Sequence, residues 1–365
     1  MEYRRSPHGG ENLGVIGLGL GSVHLAPVEE RVAIFKLALE KGVNFFDLCC
    51  GNVETFKLFG EAVKPIREKI YTQMHFGAVY DSGEYGFSRD LDQMIDNFTM
   101  LLRESGLGYT DFGYVHCIDE DDDFEKVMAP GGLFEKMREM KKQGLIRHLG
   151  FSSHTPSIAR RFLELDDIDM FMFSINPAYD YSKGEYGYGA AEERRELYEL
   201  AARKGVGISV MKPFAAGQLL DEKQSPLNIQ LSRNQCLHYV LDRPAVLVAL
   251  PGVNKLEHVD EALSYFKASG DDKDYSILSK AAPKSAEGRC VYCNHCAPCP
   301  MGIDIGLANK YYDLAKVGDE LADSHYRKLS IKASSCVGCG HCESRCPFGV
   351  KQISRMAEIK EYFGE

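Results

Sequence analysis

The run VIGLGLGS, Val15 to Ser22, decides between two α/β folds. A doubly wound dinucleotide-binding sheet follows its first strand with G-x-G-x-x-G, the last glycine letting helix and strand close together. Here the glycines stand at 17, 19 and 21, which breaks that spacing. They read instead as close packing of a first strand, with a phosphate role left open. Seven more runs rich in β-branched and aromatic residues follow: VNFFDLCC (43–50), KIYTQMHF (69–76), DFGYVHC (111–117), RHLGFSS (147–153), DMFMFSIN (169–176), GVGISVM (205–211) and AVLVALPG (245–252). Amphipathic segments such as RVAIFKLALEKG, FEKMREMKKQG and ERRELYELAARKG lie between them, and several close on a basic residue and then Gly, as helix ends do. Eight βα units in about 265 residues predict a (β/α)8 barrel.

The chain has 365 residues, 44% hydrophobic and 26% charged, as a soluble globular protein does. Its net charge of −10 disfavours a nucleic-acid partner. The first residues, MEYRRSPHGGENLG, hold no apolar leader, and no run of about 18 apolar residues offers a membrane span. These features point to the cytoplasm, where clustered thiols bind metal or react more often than they pair. Two domains are expected: the barrel over 1–280 and a small, mostly helical module over 281–365.

Eight of the twelve cysteines lie in two runs, CVYCNHCAPCP from Cys290 and CVGCGHCESRCP from Cys336. The second has the C-x2-C-x2-C-x3-C-P spacing of bacterial two-cluster ferredoxins, in which the last cysteine ligates the other cluster. The first run has two residues, not three, before its last cysteine, yet keeps the following proline. Two 4Fe–4S clusters are therefore expected. Cys290, Cys293, Cys296 and Cys346 would hold one; Cys336, Cys339, Cys342 and Cys299 would hold the other. Two zinc sites are the alternative, but two tight quartets each ending in Cys-Pro fit zinc poorly. The stretch 305–329 between the runs has helical periodicity.

Barrel chemistry sits at the C-terminal ends of the strands. There lie Asp47, Cys49 and Cys50; Gln73 and His75; His116 and Asp119; Ser152, Ser153 and His154; Asn176 and Tyr179; Lys212; and Gly252 to Lys255. So many polar groups around one mouth favour an enzyme with a small-molecule substrate over an inert scaffold. Cys117 and Cys236 read as core. Tyr179 is a candidate proton donor, with a plain loop aromatic as the alternative. His75 and His154 have no ligand spacing that would join them to His116 as a metal site.

The motifs GVNFFDLCCGN, LFGEAVK, LGYTDFGYVHCID, GLIRHLGFSSH, VMKPFAAGQLL and PGVNKLEHVDEAL resemble the aldo-keto reductases in order and spacing over nearly all of 1–266. The cysteine module resembles that of a bacterial branch carrying a C-terminal ferredoxin-like domain. The resemblance implies hydride transfer from NADPH to a carbonyl, using an Asp, a Tyr acid, a Lys that lowers the Tyr pKa and a carbonyl-orienting His. Residue by residue, the Asp is Asp47 and the His is His116, but the Tyr position is Asn52 and the Lys position is Gln73. An amide has no proton to give near neutral pH. The resemblance also implies cofactor contacts at Ser152, Ser153, Lys212, Gly252, Asn254 and Lys255, although Phe173, His258 and Ala262 depart from the family pattern. NADP(H) is one expected cofactor and a flavin another.

Two clusters beside a barrel without its usual acid point to an oxidoreductase passing electrons between the clusters and a substrate or cofactor at the mouth. A ferredoxin or other redox protein is the expected partner. The alternative is a non-catalytic electron-transfer or regulatory subunit with a vestigial pocket.

Overall fold

The computed structural model describes residues 1–282 and 286–365. A hairpin of β1 (Tyr3–Arg5) and β2 (Asn12–Gly14) covers the N-terminal ends of the barrel strands, where Arg4 donates to the carbonyl of Val246. Eight parallel strands follow: β3 (Leu18–Gly19), β4 (Phe45–Asp47), β5 (Tyr71–Phe76), β8 (Thr110–Val115), β9 (Ile146–Ser153), β10 (Met170–Ser174), β11 (Gly207–Met211) and β12 (Val246–Ala249). Bridges between Ile16 and Ala249 and between Gly19 and Gly252 join the first strand to the last, so the sheet closes. β6 (Ala78–Val79) and β7 (Gly86–Phe87) form a small hairpin in the loop after β5. Each barrel strand falls within or against one of the eight apolar runs, as expected.

Closure explains the first glycine. A Cβ on Gly17 would come within 2.6 Å of the Phe45 carbonyl oxygen and 2.9 Å of Leu250, so strands this close admit no side chain there. Alternation does the rest. Adjacent Phe45 and Phe46 enter different apolar clusters, the first with Phe112, Tyr114, Met170 and Val248, the second beneath the helices with Phe35 and Phe59. The helices are α1 (Val28–Glu40), α2 (Val53–Val63), α3 (Leu91–Ser105), α4 (Asp121–Met128), α5 (Leu133–Lys142), α6 (Pro156–Leu163), α7 (Pro177–Asp180), α8 (Ala191–Arg203), α9 (Arg233–Leu241), α10 (Leu256–Leu263) and α11 (Gly270–Lys273). Among the described residues, no helix is long and apolar enough to cross a membrane.

The C-terminal module is helical: α12 (Ile305–Lys316), α13 (Glu320–Arg327), α14 (His341–Arg345) and α15 (Gln352–Phe363). The helical stretch expected over 305–329 is two helices, because Gly318 at φ 89° turns the chain back after α12. Packing runs on past the expected boundary at residue 281. Phe348 and Val350 belong to the barrel's own apolar core, and Cys290, Val291, Cys293 and Cys346 pack against it. Arg243, at the end of α9, donates to the Val291 carbonyl at 2.7 Å. Cys296, Cys342, Ile305, Met356 and Phe363 form a separate small core with Cys299 and Cys336 against it.

Candidate functional site

The two cysteine runs fold back on each other into two thiol nests. Cys290, Cys293, Cys296 and Cys346 line one small cavity; Cys299, Cys336, Cys339 and Cys342 line the other. Each nest takes three thiols from one run and one from the other, the grouping expected from the ferredoxin spacing. The backbones repeat as well. In the second run Gly338 and Gly340 take left-handed conformations, at φ 67° and 77°. Tyr292 and Asn294 do the same at the matching places of the first, at φ 66° and 58°. Non-glycine residues hold such a conformation only when surroundings fix them. Here the Tyr292 hydroxyl donates to Asp313 at 2.9 Å, and Asn294 donates to Asp304 and accepts from the Gly306 amide.

The nests differ in setting. Cys290 and Cys293 are built into the barrel wall, where burial pushes both free thiols up to about 12. Cys339 of the other nest is exposed, with Met301 and Val337 beside it also exposed. Four sulfur donors converging from two segments, with backbone amides of Tyr292 and His295 directed at Cys290 and Cys293, fit an iron–sulfur cube.

At the mouth, a cavity of about 630 Å³ runs past the ends of β3, β4, β10, β11 and β12. Asp47, Met172 and Lys212 line one part of it; Gly252, Asn254, His258 and the Arg233–Glu261 ion pair line another. Asp47 closes β4 and is buried. Its Oδ1 accepts from Gln73 Nε2 at 2.9 Å and from His75 Nε2 at 2.7 Å. His75 Nδ1 lies 3.3 Å from His116 Nδ1, and His116 Nε2 lies 2.9 Å from the Tyr85 hydroxyl. A carboxylate only accepts, so His75 carries its proton on Nε2. Its Nδ1 then accepts from His116 Nδ1–H, and His116 Nε2 accepts from the Tyr85 O–H. His116 is neutral in this pattern. Burial, then the neighbouring His75 and Arg89, hold His116 well below its ordinary pKa, as the pattern requires.

Asp47, Gln73 and His116 thus come together, as the sequence led one to expect, but His75 joins them at the centre. Gln73 is fully buried and its Oε1 accepts from Ser209, so it supports Asp47 without charge. Asn52 belongs elsewhere. Its Oδ1 accepts from the backbone amide and hydroxyl of Thr55, capping α2, so its expected place at the catalytic centre is corrected to a helix cap. Tyr179 is buried, with its hydroxyl pKa pushed up to about 12, and is not the group that meets His116. That group is Tyr85, from the β6–β7 hairpin, which sequence reading missed.

The expected cofactor contacts divide. Lys212, Gly252 and Asn254 line the cleft. Ser152 and Ser153 do not: Ser152 Oγ accepts from the Cys117 amide at 2.7 Å, and Ser153 Oγ donates to Asp119 at 3.0 Å. Both hydroxyls support the β8–α4 loop instead of lining the cleft. Lys255 does not line the cleft; it stands exposed at the start of α10 and pairs with Glu257 at 3.5 Å. Cys236 is core, whereas Cys117 is only part-buried, stands at φ 50°, and directs its thiol at Asp119.

The chain matches the model of the Aldo/keto reductase family over residues 15–235 and that of the 4Fe-4S dicluster domain over 287–350. It is 23% identical over 230 residues to the L-glyceraldehyde 3-phosphate reductase of Escherichia coli strain K12, covering 60% of this chain and 63% of that protein, less than two thirds of its length. It is 21% identical over 318 residues to a probable aldo-keto reductase 1 of Glycine max, covering 74% of this chain and 85% of that one. Among solved structures, the holo form of aldo-keto reductase AKR11C1 from Bacillus halodurans superposes with a TM-score of 0.62 at 18% identity, over 77% of this chain and 96% of that one. An aldo/keto reductase from Brucella melitensis gives 0.52 at 15% identity, over 74% and 96%. These likenesses agree with the closed parallel barrel. The family match spans more than half of the sequence: the chain belongs to the aldo/keto reductase family and carries a 4Fe–4S dicluster domain at its C-terminal end.

Proposed function

We propose that this protein is an iron–sulfur oxidoreductase that reduces or oxidises a small molecule at the barrel mouth, with Asp47 as its proton-transfer group. The carrying observation is the pair of unlike thiol nests, one packed into the barrel's core and the other exposed. Bound in them, two 4Fe–4S clusters would supply one-electron transfer between a redox partner at Cys339 and the contents of the mouth. NADP(H) is the cofactor proposed for the long cleft, with Arg233 and His258 toward its phosphate end and Met172 and Met211 toward the mouth. Nothing in the cleft's lining favours a flavin.

The proton path replaces the absent tyrosine and lysine. With the polarity assigned above, the chain of bonds moves a proton from Tyr85 to His116 Nε2, from His116 Nδ1 to His75, and from His75 Nε2 to Asp47. Tyr85 is 45% exposed and meets solvent, while Asp47 meets the cleft. Asp47 is therefore refilled from outside each time it protonates a substrate oxygen. Gln73 keeps Asp47 in place without the charge that a lysine would add. A complete relay of this kind weighs against a vestigial pocket. The name of the Escherichia coli relative makes small aldehydes the first substrate class to try.

The test uses anaerobically purified holoprotein reduced by dithionite and then freed of it. NADP+ and a panel of small aldehydes are added separately while the visible absorbance is followed. Recovery of the oxidised absorbance with either, slowed by Asp47→Asn by about 10²-fold or more for the aldehyde, is the expected result. Reduced protein that persists with every oxidant tried would overturn the reading.

A further inference from the structure

The mouth holds a second constellation that the proton relay does not use. Lys212, directly after β11, directs Nζ at His154 Nε2, 3.1 Å away. His154 Nδ1–H donates to Asp119 Oδ2 at 2.8 Å. Asp119 is held in turn by Ser153 Oγ at 3.0 Å and by the His154 backbone amide at 2.6 Å, both on Oδ1. Amine, imidazole and carboxylate thus stand in line, each oriented by the next, and only the amine lines the cleft.

We propose that Lys212 is a nucleophilic amine that captures the carbonyl carbon of an aldehyde or ketone as an imine, with His154 as its base and Asp119 as the group that orients His154. The arrangement is that of an activated nucleophile: a base within hydrogen-bond reach, itself fixed by a third group. The step is a condensation without redox change. Nζ bonds to the carbonyl carbon, and His154 Nε2 takes a proton from the nitrogen. The carbinolamine oxygen receives that proton and a second from solvent and leaves as water while the nitrogen lone pair forms the C=N bond; loss of the remaining Nζ proton from the protonated imine returns the second proton to solvent. Asp119 stabilises the imidazolium formed in between.

Three further observations suit a working amine better than a surface cation. The Tyr186 ring stacks on His154 and covers Nζ, its centroid 2.9 Å from the nitrogen. Lys212 and Cys117, on the two loops that meet here, both sit in the left-handed region, at φ 55° and 50°. Non-glycine residues so strained cluster at working sites. Burial brings the Lys212 amine down to about 8, against the opposing pull of Cys117, Glu185 and Asp119, the acidic groups that face it. At that value about a tenth of the amine is uncharged at neutral pH, a few hundred times more than for an ordinary lysine. The ammonium form also opposes a cation among Cys117, Asp119 and His154.

The test needs neither substrate identity nor electron supply. Anaerobic holoprotein is incubated at neutral pH with pyruvate, glycolaldehyde or benzaldehyde, each with cyanoborohydride to fix any imine, and is then mapped by peptide mass spectrometry. At least one probe is expected to modify Lys212 about a hundredfold faster than the surface lysines. That rate should fall at least about tenfold in His154→Gln, whose amide cannot take the proton. In the wild-type protein the rate should also rise with pH to a plateau above about 8. Labelling spread evenly over surface lysines, or a Lys212 rate still climbing at the pH where ordinary lysines titrate, would overturn the proposal.

Discussion

Asp180→Ala should unfold the mouth's supporting wall, and the structure gives the size of the effect. Asp180 ends α7 and is buried. Its Oδ1 accepts from Arg194 Nε at 2.9 Å and from the Tyr198 hydroxyl at 2.6 Å, and its Oδ2 accepts from the Tyr239 hydroxyl at 2.9 Å. Arg194 is 0% exposed, and its other bonds go to the neutral carbonyls of Tyr188 and Ser174. Removing the carboxylate leaves a buried guanidinium without a counter-charge, at about 3–5 kcal/mol. It also orphans two buried hydroxyl donors, at about 1–3 kcal/mol each when nothing relaxes. Since domains are stable by only about 5–15 kcal/mol, the single variant should lose most of its stability. Asp180→Ala with Arg194→Met removes both charges and should recover the larger share, because a whole buried pair can be replaced at little cost. The assay is chaotrope unfolding of anaerobic protein, followed by circular dichroism, for wild type, both single variants and the double. Equal losses in Asp180→Ala and in the double variant would refute the reasoning, since the cost would then not come from the stranded charge.

Other outcomes follow from single sites. A Cβ on Gly60 would lie 1.7 Å from the Ser105 carbonyl oxygen, so Gly60→Ala must push α2 from the end of α3 and should lower the unfolding free energy by about 1–3 kcal/mol or more. Gly270→Ala, where nothing lies within 4 Å, should not. Asp119 is desolvated, but bonds from His154 and Ser153 outweigh that and hold its pKa at about 2, below the ordinary 3.8. Its stabilisation is present above the ordinary value and is lost as pH falls through the folded one, so Asp119→Asn should flatten the acid limb of the stability curve between those pH values; an unchanged limb would refute the assignment. Brief air exposure should release iron from the exposed Cys339 nest before the buried one. Cys339→Ser should then abolish the early phase of iron loss, and an unchanged two-phase loss would contradict it.

Much of this molecule is legible without coordinates because its signals are local. The eight strands are apolar runs bounded by helix-ending signals, and the two nests are written in cysteine spacing alone. The Asn52 cap is local as well, an Asn three residues before Thr55 at a helix start, although the position's place in the family pattern drew the reading toward catalysis. The relay is not local. His75 and His116 meet because β5 and β8 are hydrogen-bonded neighbours, with His75 opposite Tyr114. Tyr85 reaches them from a hairpin without apolar periodicity. Lys212, His154 and Asp119 likewise come from three separate loops, and only the order β8-β9-β10-β11 in the sheet brings them together. Ser152 and Ser153 have the right place in the chain for a cofactor, but the β8–α4 loop claims their hydroxyls.

The measurement that tests the central claim most directly is the iron, acid-labile sulfide and zinc content of anaerobically purified protein. Two four-iron clusters predict about eight irons and about eight sulfides per chain. Zinc without sulfide would contradict the account, and about four irons would leave one of the two nests without its cluster.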